Sequence, residues 1–169
     1  MSTPEVQTTL RAYLTEFVTL KTVLAELTRE ARDLSQAARH SAVVTRLMTH
    51  PGIGWLTALV YAVEVFQPER FSGSRQVSNY LGLAPLVRQS GDRSYGGPTV
   101  KGGRDYLRAM LVESAWNWKR RDVRGRELYN RMFENTGCSQ KAIVAVARHL
   151  GVNLWRMLIT EEDYRPTTQ

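Results

Sequence analysis

The segment from residue 5 to residue 46 contains neither glycine nor proline, which is typical of one long helix. Apolar residues recur in it at alternating steps of three and four, at Leu10, Tyr13, Phe17, Leu20, Leu24, Leu27, Ala31, Leu34 and Ala38. This spacing is the heptad seam of a coiled coil, and about four heptads can pair stably with another helix. The partner is either the same segment of a second chain or another helix of this chain. Because no second seam of similar length follows, we favour self-association into a homo-oligomer, a dimer or tetramer.

The charge of the chain is positive and unevenly distributed. Of the 169 residues, 23 are Lys or Arg and 16 are Asp or Glu, and residues 101–150 hold 11 of the basic and 5 of the acidic ones. A localised excess that is rich in arginine suits contact with phosphate, because the guanidinium group donates two parallel hydrogen bonds. The excess therefore indicates nucleic-acid binding, while a solvated basic face is an equally good explanation.

Composition also excludes several classes of protein. No run of about 18 apolar residues is present and the N-terminus lacks a basic-then-apolar leader, so we expect no membrane contact and a cytoplasmic location. Cys138 is alone, and only His40, His50 and His149 could add to a metal site. We therefore expect no disulfide framework and no metal bound by this chain.

We divide the chain into a coiled-coil helix over 1–46, a DNA-binding and catalytic domain over 47–160 and a frayed tail over 161–169. The sequence Pro51-Gly52-Ile53-Gly54 stops the first helical pattern. A Gly-x-Gly turn before a helix N-terminus can hold a DNA phosphate on backbone N–H groups, as helix-hairpin-helix turns do. Gly52 and Gly54 are thus candidate DNA-binding residues, while a plain turn between two helices is an equally good explanation.

A glycine-rich stretch follows, from Leu83 to Gly103, with five glycines and two prolines. A loop of about twenty residues inside a compact domain suggests function. Helix resumes at Arg104, and a later helix from Gln140 is expected to end at Gly151, with another beginning at Val152. The buried stripe of the first of these helices is Leu107, Leu111, Ala115 and Trp118. The predicted fold class is mainly α: a long N-terminal coiled-coil helix, then a helical globule with a helix-hairpin-helix-like turn and a long Gly-rich active loop.

Ser90 is the candidate nucleophile of this loop. It lies in Gln89-Ser90-Gly91, where the glycine permits a sharp turn and the close approach of a phosphate. Convergent cations stabilise the charge that a phosphodiester gains during displacement, and those near Ser90 in sequence are Arg88, Arg93, Lys101, Arg104 and Arg108. A Ser-Gly pair in such a loop is more commonly a simple turn.

Other chemistries have less support in the sequence. Glu64, Asp92, Asp105 and Glu113 have no spacing that indicates a magnesium site, and Asp105 and Glu113 are better explained as partners of nearby arginines. Cys138 and His149 would lie on a buried helix, where a packed thiol is the usual state. No cofactor is predicted within this chain.

The chain resembles the C-terminal catalytic domain of the DEDD-type insertion-sequence transposases, the bridge-RNA-guided recombinases, over about residues 47–159. The motifs that carry the resemblance are Pro51-Gly52-Ile53-Gly54, Tyr80-Leu81-Gly82-Leu83-Ala84-Pro85, Ser90-Gly91, Gly97, Thr99, Lys101, Gly102, Leu107-Arg108, Lys141-Ala142 and Ala145 to Arg148. The preceding coiled coil is similar to the segment that joins the two catalytic parts in this family and supports dimer and tetramer assembly.

The resemblance implies that a serine of this domain cuts DNA through a covalent phosphoserine link and exchanges strands. Ser90 stands at its position, and Arg93, Lys101, Arg104 and Arg108 surround it as DNA-binding residues, of which Lys101 and Arg108 align best. Family members also have an N-terminal RuvC-like domain with an acidic quartet that binds Mg²⁺. We expect that domain to lie outside this chain, so that Mg²⁺ is a cofactor only in its presence.

Three hypotheses follow from these observations. The first is the serine-nucleophile half of a DNA transposase or recombinase, which is an enzyme. The second is a non-catalytic module for DNA binding and oligomerisation, for which the turn and the basic helix would suffice. The third adds a structured guide RNA, bound by the coiled coil and the basic stretch 119–131.

Overall fold

The computed structural model describes residues 3–90, 93–99 and 105–165. The described residues form α1 (Pro4–Gln36), α2 (Ala38–Met48), α3 (Trp55–Val65), a 3₁₀ turn (Pro68–Arg70), α4 (Ser74–Tyr80), β1 (Pro85–Ser90), β2 (Arg93–Thr99), α5 (Asp105–Arg121), α6 (Val123–Thr136) and α7 (Ser139–Thr160). The predicted fold class, mainly α with a long N-terminal helix, is confirmed.

The N-terminal segment forms two helices rather than the single helix predicted for residues 1–46. The break is at Ala37, whose backbone is extended with φ −58° and ψ 141°. Beyond it, Val44 and Leu47 of α2 are buried in the core. Burial of α2 therefore overrides the helical propensity of a segment without glycine or proline.

Helix α1 is exposed over most of its length. Every residue from 4 to 30 is exposed, a length of about 40 Å at 1.5 Å per residue. The large apolar side chains of the heptad seam are between 48% and 67% exposed. Only the last turns contact the domain, where Ser35 is buried and the guanidinium carbon of Arg32 lies 5.2 Å from the ring centroid of Trp55. Within the described residues, the seam from Leu10 to Leu27 has no partner, while Ala31 packs against the core.

Helix α7 forms the centre of the core and packs against α5, α6 and α4. Its buried apolar side chains are Ala142, Ile143, Val146, Ala147, Leu150, Leu154 and Met157. The predicted stripe of α5 is buried in the same core, at Leu107, Leu111, Ala115 and Trp118. By length and composition α7 could also cross a membrane. Its burial among the other helices accounts for this apolar character.

The prediction that Gly151 ends a helix is wrong, because α7 continues through it to Thr160. A Cβ at Gly151 would lie 2.5 Å from Leu81 Cδ1, so a larger residue there would have to displace the Leu81 side chain at the end of α4. The hydroxyl of Tyr61 donates to the Gly151 carbonyl at 2.6 Å. Burial raises the pKa of Tyr61, which keeps this donor protonated. Glycine at this position serves packing, not termination.

The stretch predicted as a long loop contains a β-hairpin. Strands β1 and β2 are antiparallel, with Val87 opposite Gly96, Arg88 opposite Tyr95, Gln89 opposite Ser94 and Ser90 opposite Arg93, and the register is irregular between Pro85 and Val87. The prediction is therefore wrong for these two strands. A Gly-Asp pair between two short runs that contain Leu, Val and Tyr is a hairpin signal, and the density of glycine obscured it.

The first part of the predicted tail packs on the domain instead of fraying. The N–H of Tyr164 donates to Thr49 Oγ1 at 2.9 Å, and Arg124 donates to the Arg165 carbonyl at 3.1 Å. The Tyr164 ring lies 4.3 Å, centroid to centroid, from the ring of His50. Residues 161–165 therefore cover the turn that joins α2 to α3.

One carboxylate organises the junction of α5, α6 and this tail. Asp122 Oδ1 accepts hydrogen bonds from Trp118 Nε1 at 3.0 Å, from the Gly125 N–H at 3.1 Å and from the Tyr164 hydroxyl at 3.4 Å. Asp122 is the N-cap of α6, and a capping carboxylate also interacts favourably with the helix dipole.

Gly52, in the turn between α2 and α3, lies directly against the backbone of α5. Its φ is +93°, and a Cβ there would lie 2.7 Å from the Ser114 carbonyl oxygen and 2.7 Å from the Trp118 nitrogen. Both obstacles are backbone atoms of a helix, which cannot move aside easily. Glycine is therefore required at position 52 for two reasons, the left-handed backbone conformation and the close approach to α5.

We expect Gly52→Ala to destabilise the domain by more than about 2 kcal/mol, since the left-handed conformation alone costs about 1–2 kcal/mol and the contact with α5 adds to it. The free energy of unfolding from urea denaturation measures this loss. Gly73→Ala is the matched control, because Gly73 has extended backbone and open space around its Cα, and it should cost less than about 1 kcal/mol. Equal losses in the two variants would contradict the packing role of Gly52.

His50 is buried beside Gly52, with 1% of its surface exposed. Its Nδ1 lies 3.1 Å from the Pro51 carbonyl, to which it donates, while Nε2 has no hydrogen-bond partner among the described residues. The ring also makes an edge contact with Trp118, at 4.8 Å between centroids. Burial lowers the pKa of His50 from 6.5 to about 4, against smaller opposite effects of the Pro51 carbonyl and the Asp122 charge. The ring is therefore neutral at pH 7.

The lowered pKa predicts a specific loss of stability in acid. Between pH 6.5 and 4 the unfolded chain binds a proton on His50 while the folded chain does not, so stability falls as the pH falls through this window. The full effect of this one group is about 3 kcal/mol. We expect His50→Phe, which keeps an aromatic ring between Trp118 and Tyr164, to lose less stability than the wild type over the same window. Urea denaturation at a series of pH values tests this, and parallel curves for the two proteins would refute it.

Candidate nucleic-acid interface

The hairpin pairs Ser90 with Arg93 across its two strands. Ser90 is the last residue of β1, Arg93 is the first of β2, and the two are paired across the strands. Both therefore lie where the hairpin turns, at the end farthest along β1 from the helical core. Lys101 and Arg104, the next two predicted site residues, lie outside the described residues.

Arg108 is in the first turns of α5, with its side chain 30% exposed. Its guanidinium lies 2.9 Å from Asp105 Oδ1, one turn earlier on the same helix. This ion pair confirms the expectation that Asp105 is a partner of a nearby arginine. The pair orients the guanidinium, and its partial exposure leaves donors available to a phosphate.

The two glycines of the predicted helix-hairpin-helix-like turn occupy different environments. Gly52 packs on α5, so its identity is explained without a DNA contact. Gly54 is the exposed N-cap of α3, and no atom lies within 4 Å of where its Cβ would be. Backbone N–H groups at such a helix start can donate hydrogen bonds to an anion. The DNA-binding role of both residues stays a prediction.

A cleft between α4 and α7, called here the α4–α7 cleft, contains basic residues that the sequence analysis did not select. Its volume is about 640 Å³, and its walls include Arg75 of α4 and Arg148 and Arg156 of α7. Arg148, Val152 and Arg156 recur every four residues, a helical spacing that was visible in the sequence. Arg75 joins them only because α4 packs against α7, which no local pattern predicts.

His149 lies at the junction of this cleft with a smaller one. Its pKa is lowered, first by burial and then by the positive charges of Arg148, Arg131 and Arg156. These guanidinium groups therefore produce a positive potential around α7, and His149 adds a neutral ring to the wall at pH 7.

The described residues include no group of three or more His, Cys, Asp and Glu side chains that could hold a metal ion. An acidic magnesium site of the kind expected for the family would have to be formed by other residues.

Comparison of the sequence with known proteins identifies the family of this chain. Residues 44–130 match the family model described as Transposase IS116/IS110/IS902 family. The chain is 27% identical over 167 residues to the transposase for insertion sequence element IS1111A of Coxiella burnetii, a match that covers 96% of this chain and 45% of that protein. It is 30% identical over 152 residues to a protein named "Probable family 20 transposase" of Pseudomonas aeruginosa, covering 87% of this chain and 44% of that protein.

The chain thus spans less than half the length of these curated relatives. The family match runs from α2 through the hairpin into α6 and covers just over half of the 169 residues. On this evidence the chain belongs to the IS116/IS110/IS902 family of transposases.

Proposed function

We propose that this chain is the serine-nucleophile half of a DNA transposase, which cuts and rejoins DNA through a phosphoserine link at Ser90. The observation that supports this most is the register of the hairpin, which pairs Ser90 with Arg93 inside the region that matches the transposase family. A hydroxyl and a cation at one hairpin end are the minimum needed to attack a phosphodiester and stabilise its charge.

The reaction conserves the number of phosphoester bonds. The Ser90 oxygen loses its proton and forms a bond to phosphorus, and the bond from phosphorus to one DNA oxygen breaks. The released DNA oxygen takes up a proton and becomes a hydroxyl. Attack by the hydroxyl of another strand on the phosphoserine reverses the bond changes and regenerates Ser90. Arg93, Lys101, Arg104 and Arg108 would offset the negative charge on the equatorial oxygens.

We further propose that the complete reaction needs an acidic, RuvC-like domain that this chain does not supply. The support is the length of the relatives, which are more than twice as long as the matched part. Mg²⁺ held by such a domain would supply electrophilic stabilisation of a phosphate oxygen. A structured guide RNA belongs to the same proposal, as a partner that would direct the choice of DNA sequence.

The covalent step is tested by trapping. We expect this chain, mixed with the N-terminal half of a longer family member, Mg²⁺ and end-labelled duplex DNAs of random sequence and then denatured in detergent, to retain label on the protein. Ser90→Ala should abolish the labelled band while leaving DNA binding, measured by fluorescence anisotropy, within about twofold, because the neutral hydroxyl contributes little to binding a polyanion.

Ser94→Ala is the matched control, since Ser94 lies on the opposite strand of the same hairpin, paired with Gln89. It should keep the labelled band. Label that survives in Ser90→Ala would remove the nucleophile and favour the second hypothesis, a non-catalytic DNA-binding and oligomerisation module.

We also propose that the heptad seam of α1 pairs with the same helix of a second copy. Most of the exposed large apolar side chains among the described residues lie on α1, and coiled-coil pairing buries such side chains at the a and d positions.

A lysine in the seam tests this proposal without threatening the fold, because Leu20 and Leu24 are 61% and 66% exposed. We expect Leu20→Lys or Leu24→Lys to reduce the mass measured by light scattering from that of an oligomer to that of one chain. Thr22→Lys, on the outer face of the same helix, should leave the mass unchanged. A wild-type mass of one chain, or an unchanged mass in both seam variants, would contradict the proposal.

A further inference from the structure

The α4–α7 cleft lies where the hairpin leaves the helical core. Pro85, the first residue of β1, is part of its wall, together with Ala84 just before it. The strand that leads to Ser90 therefore begins at the cleft. At about 3.3 Å per residue, the five steps from Pro85 to Ser90 span about 17 Å.

Within the part of the chain that the structure describes, the cations of this cleft have no acidic partners. Among the residues that the structure describes, no carboxylate lies within 4.0 Å of the guanidinium groups of Arg75, Arg148 or Arg156, and none lines the cleft. The other polar side chains of its walls, which include Asn79 and Asn153, can donate hydrogen bonds. Three like charges that share one cleft repel one another, and an anion in the cleft would relieve that repulsion.

The positive surface continues beyond this cleft. A second cavity of about 270 Å³ shares His149 and Asn153 with it and extends across α7 to Arg131 and Arg124 of α6. Glu127 is the acidic residue on the wall of this second cavity. A small anion would need only one enclosed pocket, whereas two open cavities that are lined by arginines and share His149 and Asn153 as wall residues fit a polyanion.

We propose that the α4–α7 cleft binds backbone phosphates of the DNA that flanks the linkage facing Ser90. Successive phosphates of one DNA strand advance by about 3.4 Å along the helix axis, so 17 Å corresponds to about five nucleotides from the reacting linkage. Arg75 holds phosphates from the α4 wall of the cleft, and Arg156 holds them from the α7 wall. Arg148 precedes Arg156 on the same helix, α7. The choice of DNA as the occupant rests on the proposed function. The proposal adds the surface that positions this DNA.

The test is the salt dependence of DNA binding by the whole chain. The double variant Arg75→Gln with Arg156→Gln removes two exposed charges and keeps good helix-forming residues. Measured by anisotropy on a labelled 30-base-pair duplex, the plot of log affinity against log salt should become less steep by about 2. At 0.1 M salt the affinity should fall by about 60-fold, for any duplex sequence. Circular dichroism should show an unchanged melting temperature.

The matched control is Arg11→Gln with Arg29→Gln, which removes the same net charge from the exposed α1. It should keep the wild-type slope. A wild-type slope in the cleft variant, or the same loss in both double variants, would overturn the proposal. So would a loss confined to a structured RNA hairpin, with duplex binding unchanged.

Failure of the cleft and failure of the proposed function are distinguishable. If Ser90→Ala keeps the covalent label while the cleft variant loses its two units of slope, the nucleophile is wrong and the cleft stands. If Ser90→Ala loses the label while the cleft variant binds duplex DNA like the wild type, the nucleophile stands and the cleft proposal is wrong.

Discussion

The fold depends on helices that approach one another more closely than any side chain would allow. This happens at Gly52, which lies against the backbone of α5, and at Gly125, where a Cβ would lie 2.7 Å from the Trp118 carbonyl oxygen. At Gly151 a Cβ would meet the Leu81 side chain at the end of α4. Each glycine sets the distance between two elements that a larger residue would push apart. The three contacts together tie α3, α4 and α6 to the central pair of α5 and α7.

These contacts also explain how the proposed interface is divided. The helical core is rigidly packed and presents the α4–α7 cleft on its surface, with Arg148 and Arg156 fixed by the position of α7. The hairpin extends from the edge of this core and carries Ser90 and Arg93. The core would thus hold the DNA while the hairpin presents the hydroxyl to it, so that binding and bond breaking involve different elements.

The sequence predicted those features that depend on local pattern. The helical class, the α5 stripe of Leu107, Leu111, Ala115 and Trp118 and the exposed heptad seam all follow from spacing within one segment. The features that it missed depend on contacts between distant segments. Ala37 breaks a segment of good helix formers because α2 must turn to reach the core, and Gly151 stays helical because α4 needs its space.

The same reasoning applies to the candidate site. Ser90 is proposed from its neighbours in sequence and from a family resemblance, and the pairing of Arg108 with Asp105 follows from their separation of three positions. The hairpin could have been predicted from the Gly-Asp pair. The meeting of Arg75 with Arg148 and Arg156 could not, because Arg148 lies 73 positions after Arg75 in the chain and only the packing of α4 on α7 joins them.

The docking of Tyr164 over His50 gives the carboxyl end of the chain an unexpected importance. A deletion after Thr160 would open the imidazole to water and remove the desolvation that keeps it neutral. The His50 ring would then bind a proton at mildly acidic pH, next to Gly52 in the turn that leads into α3. Purification tags and domain fusions on that side therefore need a spacer beyond Arg165, so that the five-residue clasp over the turn is kept intact.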